Sequence, residues 1–249
     1  MSVKAEQRDR ILIVTLDREA KRNAIDGAVT LGIDAALNRF EDDPQLALAI
    51  ITGGPSMFSA GTDLKVTAGP PTERGGEYGI IRRRHSKPVI AAVEGFALGG
   101  GMEVVLACDM VVASRTARFG LPEVQRSLVP TCGGMFRAQR VLPLNIAKEI
   151  LLTGDPLSAE RAYSLGLVNV LTEPGATLEA ALKLAERIVA NGPVALREIL
   201  AAIADLVAPE DVRAWELTER ATAVIWSSAD AVEGRDAFLE KRPPVWRGR

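Results

Sequence analysis

The hydrophobic residues in the first half of the chain fall into short unbroken runs that alternate with stretches of helical spacing. Such short apolar runs predict strands. They occupy residues 11–16, 46–52, 89–93 and 110–113. Asp26 can cap a helix after the first strand, with its apolar face at Val29, Ile33, Leu37 and Phe40 and its end at Pro44. With a further helical run at residues 102–107, the pattern predicts an α/β core.

From about residue 146 onward the spacing of apolar residues becomes almost entirely helical. Ser158 can cap a short helix over residues 159–164 that Gly166 ends, and a short strand follows at residues 168–171. The remaining predicted helices occupy residues 178–190, 194–207, 210–226 and 229–241. Asn191-Gly192-Pro193 and Ala208-Pro209 separate the first three of them, because proline interrupts helical hydrogen bonding. We therefore expect an α/β core followed by a long helical region.

The composition limits what the chain can bind. Apolar residues make up 47% of it and aromatic residues 4%, so a large and mainly aliphatic core is expected. The net charge of −2 argues against general attraction to nucleic acid or to an anionic membrane, and no apolar run is long enough to span a bilayer. Cys108 and Cys132 form no CxxC pair and His85 is the only histidine, so no metal site is expected. The polar N-terminal segment is unlike a signal peptide and predicts a cytoplasmic protein.

Four segments carry residues that could take part in chemistry. Residues 60–65 read Ala-Gly-Thr-Asp-Leu-Lys, a turn of small residues that leaves backbone N–H groups open. Residues 97–103 read Ala-Leu-Gly-Gly-Gly-Met-Glu and open a helix, and residues 119–123 read Phe-Gly-Leu-Pro-Glu. The fourth segment is Phe-Leu-Glu-Lys at residues 238–241. Taken singly, each is typical of an ordinary turn or helix end.

In this order and at these separations, the segments resemble the crotonase (enoyl-CoA hydratase/isomerase) superfamily. Residues 16–25, 151–155, 159–162 and 165–169 extend the resemblance over nearly the whole chain. The resemblance implies an α/β fold with a crotonase-type ββα spiral core over residues 1–190. It also implies a C-terminal helical region over residues 191–249 that completes the CoA site and forms a trimer interface.

The chemistry implied by the resemblance is stabilisation of a thioester enolate. The backbone N–H groups of Thr62 and Gly100 would form an oxyanion hole for the thioester oxygen of an acyl-CoA. Glu103 and Glu123 match the two glutamates of the family's hydratases, with Glu103 activating water and Glu123 exchanging the proton at the α-carbon. Isomerases of the family often keep only the equivalent of Glu123. The presence of both therefore favours reversible syn hydration of a 2-enoyl-CoA.

The resemblance also assigns residues to the binding of coenzyme A and substrate. By position these are Arg22, Ala24, Ala60, Thr62, Asp63, Leu64, Lys65, Gly100, Phe238 and Lys241. No separate cofactor is implied, because coenzyme A is part of the substrate. Self-association as a homotrimer or a dimer of trimers is expected.

Three alternatives stay open at this point. The same scaffold supports double-bond isomerisation and a carnitinyl-CoA-type dehydration, and Thr131 stands where the family's hydratases usually have glycine. The segment between Lys65 and Lys87 is shorter than in typical short-chain hydratases, so the acyl group is not specified. The third alternative is RNA binding through the basic run at residues 82–87, for which a solvated helix face is the simpler interpretation. A serine protease is disfavoured because it needs a Ser–His pair, and the sequence has one histidine, His85, and no GxSxG motif.

Overall fold

The computed structural model describes residues 2–249, which form two sheets and a series of helices. The strands are β1 (Val3–Arg8), β2 (Ile11–Leu16), β3 (Leu48–Thr52), β4 (Val89–Val93), β5 (Phe96–Leu98), β6 (Met110–Ser114), β7 (Arg118–Gly120), β8 (Leu157–Ser158) and β9 (Val170–Thr172). The α-helices are α1 (Gly27–Asp42), α2 (Gly100–Leu106), α3 (Gly134–Val141), α4 (Leu144–Thr153), α5 (Ala159–Ser164), α6 (Thr177–Val189), α7 (Pro193–Trp226) and α8 (Ala229–Glu240).

The larger sheet has the strand order β1-β2-β3-β4-β6-β9, in which only β1 runs antiparallel to its neighbour. Its central strands are buried on both faces. Ile51 packs into the cluster that contains Ile33 of α1, and Ile50 packs into a second cluster with Ala181 of α6. Burial on both faces explains why these strands appear in the sequence as unbroken apolar runs. The predicted α/β core followed by a helical region is thus confirmed.

The second sheet, β5-β7-β8, was not predicted, because its strands are at most three residues long. It begins directly after β4, and β5 pairs in parallel with β7. Ser59 bridges to Ala97 of β5, so the turn at residues 60–65 is brought to the start of α2. This small sheet therefore positions two of the four candidate segments.

The predicted break at Ala208-Pro209 is wrong, since α7 is one continuous helix of 34 residues with Pro209 inside it. Proline at this position removes the N–H that would bond the carbonyl of Asp205. Asp205, Ala208 and Pro209 are all exposed, so the Asp205 carbonyl that loses its helical hydrogen bond is not buried among apolar side chains. The rest of the helix then continues on both sides of a single missing bond. Among residues 2–249, no helix is both long enough and apolar enough to span a membrane.

The basic run at residues 82–87 is not a helix face, contrary to the simpler interpretation of the sequence. It is an irregular connection into β4 whose arginines pair with other parts of the chain. The side chain of Arg83 is 2% exposed and pairs with Asp34 at 2.6 Å. The Arg82 guanidinium lies 3.5 Å from the ring centroid of Trp215, and Arg84 pairs with Asp205 at 2.7 Å. These contacts give the run a structural role within the chain.

Candidate active site

The turn at residues 60–62 lies directly against the turn that opens α2. Gly61 has a φ of +93°, and a Cβ added there would sit 2.7 Å from the carbonyl oxygen of Leu98 and 3.2 Å from the nitrogen of Gly100. Hydrogen bonds between Ser59 and residues 96 and 98 hold the two segments together. Only glycine permits both this backbone conformation and this close approach.

Thr62 and Gly100 each present a backbone N–H that no acceptor in residues 2–249 takes up. Gly100 is the first residue of α2, where N–H groups have no partner within the helix. The Ile25 N–H donates to the Gly61 carbonyl, and the Asp63 N–H donates to the Ile25 carbonyl. The N–H of Thr62, between them, has no acceptor within the described chain. The two predicted oxyanion donors are therefore unpaired and lie on adjoining turns.

Glu103 points into the protein one turn after Gly100. It is 2% exposed, and its Oε1 accepts hydrogen bonds from the N–H groups of Cys132 at 2.7 Å and Gly134 at 3.0 Å. Burial raises the pKa of Glu103 to about 7, although these two hydrogen bonds act in the opposite direction. The carboxylate is thus fixed in orientation and close to titration at neutral pH.

Thr131 does not disturb this arrangement. Its side chain is exposed, and the hydroxyl lies 3.6 Å from the Cys132 sulfur. The donors to Glu103 are backbone N–H groups of the residues that follow it, so a side chain at position 131 leaves them in place. Replacing the family's usual glycine by Thr131 therefore preserves the hydrogen bonds to the first carboxylate.

Glu123 lies in a short 3-10 helix, Pro122–Arg126, close to the glycine turn at residues 99–101 that opens α2. Its Oε1 is 3.1 Å from the position that a Cβ would take at Gly99. Its Oε2 is buried and has no hydrogen-bond partner among residues 2–249. Burial, and then the charge of Glu103, raise the pKa of Glu123 to about 8. Because the charge of Glu103 acts on Glu123, the titrations of the two carboxyl groups are linked.

The raised pKa of Glu123 leads to a prediction about stability. The pKa of Glu123 is about 8 in the folded protein and near 4.5 in the unfolded chain, so the folded state favours the protonated side chain. The contribution of this protonation to the free energy of unfolding is fully present below about pH 4.5 and is lost as the pH rises through about 8. Since glutamine cannot ionise, Glu123→Gln should be more stable than the wild type at pH 8 by about 2 kcal/mol. The gain stays below that of an isolated group with the same pKa, because the titration of Glu123 is linked to that of Glu103. Urea unfolding at pH 5 and pH 8 checks it, and an equal gain at both pH values would contradict the assignment.

The predicted CoA turn at residues 22–25 is joined to residues 60–63 by backbone hydrogen bonds. The Ala60 N–H donates to the Arg22 carbonyl at 3.0 Å, and Ile25 exchanges bonds with Gly61 and Asp63. Arg22 is exposed, as are Leu64 and Lys65 a few residues beyond the second turn. The structure therefore joins the two turns that the resemblance assigned to CoA, and several of their residues are open to solvent.

Two residues that support this turn were missed from the sequence. The Arg18 guanidinium donates to the Ala24 carbonyl at 2.9 Å and to Asp63 at 2.8 Å. It also lowers the pKa of Asp63, whose side chain is thus committed within the fold. The Asn23 amide donates to the carbonyls of Gly53 and Met57, both at 2.8 Å. Both residues lie in the Leu-Asp-Arg-x-x-x-x-Asn run at positions 16–23, which was the available signal.

The C-terminal segment reaches the site on the side of Glu123. The ring of Phe238 lies 4.2 Å from the guanidinium carbon of Arg126, at the end of the helix that carries Glu123. Gly234 allows this approach, since a Cβ there would lie 2.1 Å from the Arg126 carbonyl oxygen. Lys241 caps α8 with a φ of 56° and is exposed. Phe238 thus packs against the short helix that carries Glu123, and Lys241 ends α8 at an exposed position.

Tyr78 is the largest side chain at the site that the sequence did not single out. It is 5% exposed, and its hydroxyl is 2.7 Å from the Thr62 Oγ1. A Cβ added to Gly100 would lie 2.6 Å from that hydroxyl. The signal was present as an aromatic residue enclosed by glycines, Gly75-Gly76-Glu77-Tyr78-Gly79, in a segment that otherwise has no regular pattern.

Comparison with known proteins identifies the family to which the chain is similar. The family profile described as enoyl-CoA hydratase/isomerase matches residues 6–249. The chain is 41% identical over 252 aligned residues to a carnitinyl-CoA dehydratase of Salmonella typhi, with 96% of this chain and 95% of that protein covered.

Solved structures agree over the full length. A carnitinyl-CoA dehydratase from Mycobacterium avium is 40% identical, with a TM-score of 0.92 and coverage of 100% of this chain and 99% of that one. An enoyl-CoA hydratase from Mycobacterium tuberculosis is 45% identical, with a TM-score of 0.80 and the same coverage. These matches confirm the predicted crotonase-type fold. The chain therefore belongs to the enoyl-CoA hydratase/isomerase family.

Proposed function

We propose that this protein is an enoyl-CoA hydratase that adds water reversibly, on one face, to the double bond of a 2-enoyl-CoA. The observation that carries the proposal is the pair of carboxyl groups of the buried Glu103 and the partly buried Glu123, close to two adjoining turns that each present one unpaired N–H group. Hydration requires both a base for water and an acid for the α-carbon, and a pair with one member ionised and the other protonated supplies both.

In the proposed reaction the thioester oxygen accepts hydrogen bonds from the N–H groups of Thr62 and Gly100. Glu103 takes a proton from water as the water oxygen bonds to the β-carbon, and the π electrons move onto the thioester oxygen. Glu123 then gives its proton to the α-carbon, the electrons return, and one water has been added. Fixed donors in a dry site stabilise the transient oxyanion, at about 3 kcal/mol for one donor.

The division of roles follows from the surroundings of each carboxyl group. Two backbone N–H groups favour the ionised form of Glu103, whereas Glu123 has a buried oxygen without a donor. Glu123 is therefore the member of the pair that retains its proton more readily, and Glu103 is the member that can accept one. This supports Glu103 as the base toward water and Glu123 as the acid toward the α-carbon.

A second candidate is dehydration of a 3-hydroxyacyl-CoA as the working direction. The similarity to proteins named carnitinyl-CoA dehydratase favours it, and the same residues serve in reverse order. Isomerisation of a 3-enoyl-CoA remains the third candidate, because it needs only one of the two carboxyl groups.

A substrate panel separates these candidates. Pure protein is mixed with 2-enoyl-CoA thioesters of several chain lengths, with 3-enoyl-CoA and with 3-hydroxyacyl-CoA, and the absorbance of the conjugated double bond is followed. Hydration predicts a fall with a 2-enoyl-CoA and a rise with the 3-hydroxyacyl-CoA. A rise with 3-enoyl-CoA and no change with any 2-enoyl chain would overturn the proposal in favour of an isomerase.

We further propose that coenzyme A lies along residues 22–25 and 60–65 with Phe238 and Lys241 closing on it, and that the reaction needs no cofactor beyond it.

We also propose that the protein is a homotrimer or a dimer of trimers and that it is located in the cytoplasm. Among the residues of α7 only Thr218 is buried in the isolated chain, although the helix presents several large apolar side chains. These exposed side chains are Val194, Ile199, Ile203, Leu206, Val212, Leu217, Val224 and Trp226. Sedimentation of the pure protein as a monomer would contradict the self-association.

A further inference from the structure

Tyr78 occupies a strained turn that the mechanism above does not use. The turn contains three residues with positive φ, namely Gly76 at 68°, Tyr78 at 55° and Gly79 at 76°. A bulky residue in this region of backbone space is uncommon and persists only where its surroundings fix it.

Helix α1 supplies the fixing contacts. A Cβ at Gly79 would lie 2.5 Å from the carbonyl oxygen of Thr30 and 2.6 Å from the nitrogen of Asp34, so the turn lies flat against the helix backbone. Asp34 also accepts hydrogen bonds from Thr72 at 2.7 Å and from Arg83 at 2.6 Å, on either side of the turn. The position of the Tyr78 ring is therefore set by the fold.

The ring itself reaches the proposed oxyanion site. Its tip lies within 2.6 to 3.0 Å of the place where a Gly100 side chain would begin, and its hydroxyl is 2.7 Å from the Thr62 Oγ1. Cys132, whose N–H donates to Glu103, is another neighbour of the phenol. The ring thus lies between the oxyanion turns and the segment that holds the first carboxylate.

The direction of the acyl group follows from the same residues. With the thioester oxygen at Thr62 and Gly100, the α- and β-carbons lie beside Glu123 and Glu103. A longer acyl chain continues beyond the β-carbon, on the Glu103 side, and the Tyr78 phenol is a neighbour of both Glu103 and Cys132 there. The CoA portion needs the opposite, solvent-facing direction, where Lys65 is exposed.

We propose that Tyr78 determines specificity by closing the acyl end of the site, so that the protein accepts short 2-enoyl chains and rejects long ones. The inference rests on the proposed function, since it takes the acyl-CoA to be bound as described there. It does not require the hydroxyl to take part in the chemistry, because the volume of the ring limits the space.

Two substitutions separate the ring from its hydroxyl. Tyr78→Phe removes only the hydrogen bond to Thr62, whereas Tyr78→Ala removes the ring. The measured quantity is kcat/KM for 2-octenoyl-CoA divided by kcat/KM for crotonyl-CoA. Because each methylene that fits or does not fit a pocket changes selectivity about tenfold or more, we expect Tyr78→Ala to raise this ratio at least about tenfold. Tyr78→Phe should leave it within about twofold of wild type, as should Tyr163→Ala, a change at an exposed tyrosine in α5.

The inference is overturned if folded Tyr78→Ala keeps the wild-type ratio, or if the wild-type protein already prefers the longer chain. If Tyr78→Ala does not fold, Tyr78→Leu is judged by the same ratio. Calorimetric titration with butyryl-CoA and octanoyl-CoA gives a readout without turnover. A wild-type preference for butyryl-CoA that Tyr78→Ala abolishes would support the role of Tyr78 even if no substrate were hydrated, and equal preferences in both proteins would overturn it.

Discussion

Replacing either Glu103 or Glu123 by glutamine is expected to lower kcat for hydration by at least about a thousandfold. Each carboxyl group transfers a proton that glutamine cannot transfer, while the shape of the site stays nearly the same. In Glu103→Gln the amide oxygen can still accept from the N–H groups of Cys132 and Gly134. The binding of butyryl-CoA, which cannot react, should therefore change by no more than about threefold. Steady-state kinetics and calorimetric titration measure the two effects separately.

Glu94 provides the matched control for these substitutions. It is also a buried glutamate, and its Oε1 accepts from the Gly175 N–H at 2.8 Å and from the Thr177 hydroxyl at 3.0 Å, away from the glycine turn. Glu94→Gln should keep kcat near the wild-type value. If Glu103→Gln or Glu123→Gln retained a tenth of wild-type kcat, the two-carboxylate mechanism would be wrong.

Gly61→Ala is the second substitution with a large expected effect. Its Cβ would lie 2.7 Å from the Leu98 carbonyl oxygen and 3.2 Å from the Gly100 nitrogen, so the two turns must separate. Separation misplaces the N–H groups of Thr62 and Gly100 with respect to one oxygen atom. Losing one such donor lowers kcat by about a hundredfold to a thousandfold, and we expect a fall of that size.

Gly166→Ala separates this effect from the cost of the backbone conformation. Gly166 has a φ of +90°, close to that of Gly61, but no atom lies within 4 Å of an added Cβ. Backbone strain should lower the free energy of unfolding by about 1 kcal/mol in both variants, and the clash with Leu98 should lower it further in Gly61→Ala. Only Gly61→Ala should also lower kcat. A comparable loss of activity in the two variants would show that the loss comes from strain and would contradict the oxyanion hole.

The sequence predicted those parts of the fold whose cause lies in local pattern. Strands β2, β3 and β4 are covered on both faces, so apolar residues follow one another without interruption in their sequences. The cap of α1 was also local, since Asp26 accepts from the Val29 N–H at 2.9 Å. Strands β5 and β7 were missed because three residues are too few for a period. The continuity of α7 through Pro209 depends on solvent exposure, which a local pattern does not encode.

The site divides in the same way. The two glutamates and the two glycine-containing turns were assigned through the order of motifs, and the structure brings them together. Tyr78 was missed because its importance arises from tertiary contacts, with α1 holding a tyrosine at positive φ. The anchoring of Glu103 by the N–H groups of Cys132 and Gly134 likewise could not be inferred from residue types, because backbone groups occur at every position.

The central claim is that two carboxyl groups add the elements of water to one face of an enoyl thioester. Its most direct test is to incubate the protein with crotonyl-CoA in deuterated water and to follow the product by NMR. We expect 3-hydroxybutyryl-CoA with one deuterium at the α-carbon, on the same face as the new hydroxyl group. Deuterium at the γ-carbon without any hydroxylated product, or no reaction with any 2-enoyl-CoA, would contradict the claim.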